Sequence, residues 1–97
     1  MKEEKIHLQH PEGKHAPAIS RQTYELFEKA VVNILKKKSP LSFAAIAEGT
    51  KNYIAKHAPA FDGSPEWYTV SVKLHLEATG IIETFTEKGK KLHRLRQ

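Results

Sequence analysis

The sequence predicts an α+β fold, mainly α, built from a short N-terminal strand, three helices and a C-terminal β-hairpin. Three observations predict it. Apolar residues recur at helical spacing in three segments, each preceded by a serine able to cap a helix: Ser20, Ser42 and Ser64. The third segment runs into Gly80, a residue that ends helices by adopting the left-handed conformation. Beyond Gly80, two strand-like pieces, IIETF and KKLHRLR, flank the turn sequence TEKG.

Taken in order, KIHLQ (residues 5–9) alternates apolar and polar at Ile6 and Leu8, as a short strand does. HPEGKHAP, with two prolines and a glycine, is expected to be loop. After Ser20, the residues Tyr24, Phe27, Val31, Ile34 and Leu35 form the buried stripe of a first helix. Lys36, Lys37 and Lys38 complement the carbonyl end of its dipole, and Ser39-Pro40 stops it. PLSF leaves room for one bridge of strand before Ser42 caps a second helix, whose apolar face is Phe43, Ile46, Ala47 and Ile54 and whose weak point is Gly49. HAPAFDGSPEW is the next break. Ser64, Pro65 and Glu66 supply a capping hydroxyl, a proline at the first helical position and an acid in the first turn, so the third helix is expected to run from there to Thr79. The hairpin is expected to turn through the four residues TEKG with Gly89 at positive φ. Leu92 and Leu95 have opposite parity on its second strand, so one leaves the buried face unless a bulge intervenes.

LEATGIIE, Leu76 to Glu83, resembles the LEERGLIE junction of bacterial winged-helix regulators, where the third helix passes through glycine into the first wing strand. PLSFAAIAE, Pro40 to Glu48, resembles their entry into the second helix. With HPEGKHAPAI and WYTVSVKLHLEATGII, the whole chain is similar to a small family of bacterial winged-helix-like proteins without an assigned function. The resemblance implies a winged-helix domain over residues 20–97, preceded by a strand-and-loop arm at residues 1–19, and a third helix in the recognition position. The arm is left open between a strand added to the wing, a reach toward a partner and a loose tail. Winged helices bind DNA in transcription-related roles and also serve as protein-docking modules, so the fold alone does not choose.

At 97 residues, with 39% apolar and 28% charged residues, the chain has the size and composition of one ordinary domain. It has no cysteine, which excludes disulfides and thiolate metal sites. No signal sequence or membrane-length apolar run is visible, so the expected location is cytoplasmic. Six histidines are present, but none has the paired spacing of a zinc site; no metal or cofactor is expected. No nucleophile, base and orienting acid are nominated together and no phosphate loop is present, so no enzyme and no small-molecule substrate are expected.

The net charge of +5 leans toward a polyanionic partner. Residues 83–97 hold Lys88, Lys90, Lys91, Arg94 and Arg96 against Glu83 and Glu87, a local excess of three positive charges. A basic hairpin suits phosphate contacts with double-stranded DNA. From the third helix, Tyr68, Ser71, Lys73 and His75 are the candidate DNA contacts. That helix is net −1 and lacks arginine, and it is apolar on two sides: Val72 with Leu76, and Trp67 with Val70, Leu74 and Ala78. At this spacing Trp67 is expected in the core. The second side also nominates Trp67, Val70 and Leu74 as an interface for a homodimer or another protein partner, which is the alternative function.

Overall fold

The computed structural model describes residues 4–96; residues 1–3 and 97 of the expected arm and domain lie outside them. The order is β1 (Lys5–His7), β2 (Ala18–Ser20), α1 (Arg21–Lys37), α2 (Phe43–His57), α3 (Pro65–Ala78), β3 (Ile82–Glu87) and β4 (Lys90–Leu95). The three serines cap as their positions predict. Ser20 Oγ accepts from the Thr23 amide at 3.1 Å, Ser42 Oγ from Ala45 at 3.2 Å and Ser64 Oγ from Trp67 at 3.3 Å. Each hydroxyl thereby satisfies one of the amides that a first helical turn leaves free.

The helices close around the stripe of α1. Phe27, Val31 and Leu35 are buried against Ile46 and Ile54 of α2 and Val72 and Leu76 of α3. Gly49 is less a weak point than a close approach: a Cβ there would meet Ile34 Cδ1 of α1 at 3.0 Å. Gly80 follows α3 at φ 83° and hands the chain to β3. This gives three helices followed by a C-terminal antiparallel hairpin, a winged-helix-like topology. No described helix is long and apolar enough to cross a membrane.

The N-terminal segment departs from the expectation. Residues 18–20 form a second strand, so the single strand becomes a hairpin with Ile6 opposite Ile19. It makes its own two-stranded sheet and does not extend the wing. Leu8 and Ile19, both 6% exposed, enter the same core as the helices, so among the described residues the arm is part of the domain.

The wing is tighter than expected. Thr86 and Glu87 continue the ladder, opposite Lys91 and Lys90, so the turn has two residues rather than four. Lys88 (φ 51°) and Gly89 (φ 78°) both take the left-handed conformation, as the twist of a two-residue hairpin demands. The register is continuous from Ile82–Leu95 to Glu87–Lys90. Leu95 packs against the core and Leu92, paired with Phe85, lies on the other face. Leu41 forms the one bridge anticipated from PLSF, exchanging both backbone hydrogen bonds with His93 at 2.9 and 2.8 Å.

Lys88 is, among the described residues, the non-glycine residue held at positive φ, where a side chain costs on the order of 1 kcal/mol. Lys88→Asn should therefore raise unfolding stability by about 0.5–1 kcal/mol, because asparagine tolerates the left-handed region. Urea denaturation of both proteins checks it; an unchanged or lowered midpoint would count against the strained turn.

Candidate nucleic-acid interface

The basic residues of the wing divide by what surrounds them. Lys88 and Lys90 stand at the exposed tip, held out by the tight turn, and Lys91 is exposed beside them. Arg94 is exposed but engaged: its Nε donates to Glu83 Oε2 at 2.7 Å across the strands, and its guanidinium lies 4.5 Å from the centre of the Phe85 ring. Glu87 is directly opposite Lys90 in register. Two carboxylates thus offset part of the wing's charge. Lys88, Lys90, Lys91 and Arg96 have no carboxylate within ion-pair distance among the described residues. At the base of the wing, Arg94 and Arg96 border an open cleft whose other wall is Lys36 and Ser39 from the end of α1. Lys36 is a cation that linear reading assigns only to its own helix dipole; the contact of α1 with β4 brings it to the wing.

α3 is placed differently from a base-reading helix. Lys73 is 7% exposed and His75 8% exposed, so neither projects into a groove as the sequence led us to expect. Tyr68 is half-buried in an aromatic cluster, 5.3 Å from the Phe27 ring and 5.4 Å from Phe61. Ser71 is half-buried and carries no charge. Trp67, expected in the core, is instead 46% exposed, edge-on to Tyr68 at 4.8 Å. The helix has two apolar sides, and the core is already filled from the other by Val72 and Leu76.

The buried polar residues of α3 serve the fold. Lys73 Nζ lies 2.6 Å from Glu77 Oε1, one turn on, and 5.5 Å from the centre of the Phe43 ring. Glu77 Oε1 is at ion-pair distance yet lacks a hydrogen bond of good geometry among the described residues, so the attraction is chiefly Coulombic. His93 of β4 faces the same carboxylate at 3.9 Å and has Thr84 Oγ1 at 2.8 Å from its Nδ1. On the far side of α3, the Gln9 amide donates to His75 Nδ1 at 2.9 Å, and Tyr24 of α1 meets the imidazole edge-on at 5.3 Å. That accepted hydrogen bond requires an unprotonated Nδ1. Tyr24 donates to Glu28 Oε2 at 2.6 Å, and burial together with that carboxylate pushes the phenol above its usual range.

Burial holds both imidazoles below their ordinary pKa of 6.5. For His93 the Lys73 ammonium adds to the effect of burial and Glu77 opposes it; for His75 Glu28 opposes it. The unfolded chain therefore binds more protons than the folded one just below that value, and stability falls as pH falls through the window. Each histidine supplies a slope of at most about 1.4 kcal/mol per pH unit. Thermal melts between pH 7.5 and 5.5, above the ordinary carboxylate range, should show declining stability, less steep in His93→Gln. A flat profile would sink the assignment of both rings as buried and neutral.

The Lys73–Glu77 pair gives a second expectation. Lys73→Ala leaves Glu77 without its cation in a largely dry site and should cost about 2–4 kcal/mol. Lys73→Met with Glu77→Leu, which removes both charges, should be far milder in the same denaturation experiment. Equal losses would show that packing, not charge, accounts for the effect.

No curated protein and no solved structure matches the chain at a significant level. One family model does, and it covers residues 5–92, from the N-terminal hairpin to the second wing strand. The chain belongs to this family, DUF6958, a family of unknown function.

Proposed function

We propose that this protein binds double-stranded DNA through its phosphates, gripping with the wing and leaving base edges unread. The observation that carries the proposal is the set Lys88, Lys90, Lys91 and Arg96, exposed on the hairpin without carboxylate partners among the described residues. Such cations gain by displacing the counterions condensed on a duplex, an effect indifferent to sequence. Lys36, across the cleft from Arg96, adds a contact at the base. The burial of Lys73 and His75 supports the second half of the proposal, because α3 then offers the major groove no exposed basic side chain.

Fluorescence anisotropy of a labelled mixed-sequence duplex tests this. Four engaged cations imply a log–log salt slope of about −3.6, and a scrambled duplex should bind within about threefold of the first. Changing Lys88, Lys90 and Lys91 together to glutamate should abolish binding. Unchanged affinity in that variant, or no binding at low salt, would overturn the wing as a DNA contact.

A further inference from the structure

We propose that the phosphate grip continues past the wing, over the last turn of α1 and into the groove between α1 and α2, where Lys37 and Lys56 hold a second stretch of the duplex backbone. This second contact presupposes the wing contact proposed above and extends its path. Ile34, Leu35, Lys36 and Lys37 are consecutive, and they part to two flanks of the helix end. Leu35 and Lys36 line the cleft that Arg94 and Arg96 border, while Ile34 and Lys37 line the groove toward α2. The last turn of α1 thus joins the cations of the wing to those of the groove, through two adjacent lysines.

The lining of the groove suits an anion. Asn33 and Lys37, one turn apart on α1, share it with Asn52 and Lys56, one turn apart on α2, and all four are exposed. Its walls stand close because Gly49 has no side chain: a Cβ there would meet Ile34 Cδ1 at 3.0 Å. Tyr53 and His57 complete the lining, and no carboxylate enters it. The acids of the same two helices lie elsewhere. Glu25 and Glu28 border a separate cleft with Lys29, and Glu48 borders another with Lys51 and Glu66. Lys37 and Lys56 have no carboxylate within ion-pair distance among the described residues. Ammonium and carboxamide groups are the side chains that hydrogen-bond phosphate oxygens. The helix dipole does not account for the lysines, because a helix end carries only about half a negative charge. Lys36, Lys37 and Lys38 set three positive charges against it.

The test adds Lys37→Glu/Lys56→Glu to the anisotropy measurement on the mixed-sequence duplex. Each engaged cation contributes about 0.9 to the log–log salt slope, so two more take it from about −3.6 to about −5.4 in the unchanged chain. The variant should lose that increment and bind at least about tenfold more weakly at about 0.15 M salt. The control is Lys29→Glu/Lys51→Glu, an equal change of net charge placed on the faces that carry acids, which should cost less than about threefold. Far-UV circular dichroism checks that each variant is folded; Lys37→Gln/Lys56→Gln, with the same loss of slope, replaces the first should it unfold. Binding that the wing reversal abolishes, but that the groove reversal weakens no more than the control, would overturn the second contact and leave the wing standing. A slope near −3.6 for the unchanged chain would do the same. Binding lost in the groove variant yet kept in the wing variant would overturn the wing and leave the groove. No binding by the unchanged chain at low salt would overturn both.

Discussion

His93 is one of the residues that fasten the wing to the helices, and the polar groups of the helix beneath it are arranged around that attachment. A two-stranded hairpin is marginal alone in water. His93 joins this one to the segment before α2 by two backbone hydrogen bonds, and its ring is 1% exposed. Ile82 and Leu95, a facing pair on the same side of the hairpin, add apolar contact with the core. An imidazole so placed must remain neutral, which makes the Glu77 carboxylate 3.9 Å away need another cation; Lys73, one turn earlier, is that cation. The attachment of a β-hairpin thus reaches into α3 and takes its lysine out of solvent.

The result is a division of surface. Charge stays on the hairpin, where Lys88, Lys90, Lys91 and Arg96 have no carboxylate partner among the described residues, and α3 keeps an uncharged ridge outward. His75 completes the separation, since its outward potential is absorbed by the Gln9 amide and the Tyr24 ring. In a winged helix that reads sequence, α3 and the wing would share the same ligand. Here the wing is cationic and the outer side of α3 apolar, so the two surfaces differ in chemistry.

Local signals were legible in the sequence because their causes are local. A serine before an apolar stripe caps a helix whatever lies elsewhere, and Ser20, Ser42 and Ser64 all do so. Val72 and Leu76 fall on the core side of α3 as their spacing indicates. The wing cations are exposed where alternation and a turn would put them. What escaped depends on distant packing. β2 has three residues and one buried side chain, too little for alternation to show. Periodicity finds two apolar sides of α3 but cannot say which one the remaining helices will cover, so Trp67 was placed inside. Lysine and glutamate four apart read as a solvent-exposed pair, and it takes the approach of His93 from β4 and Phe43 from α2 to make Lys73 and Glu77 interior. The two-residue turn was hidden because Lys88 in a left-handed conformation is a choice the residue itself disfavours.

The hydrogen bond between Gln9 and His75 spans 66 positions, and chain order gives that distance a temporal meaning. During synthesis the N-terminal hairpin emerges before every surface it rests on. Leu8 and Ile19 need helices that are still unmade, and the imidazole that receives the Gln9 amide comes later still. Of the described elements, the earliest in chain order thus completes its hydrogen bonding only when α3 is in place. The strands themselves meet α1, the next helix made, and it is the Gln9 amide that waits for α3.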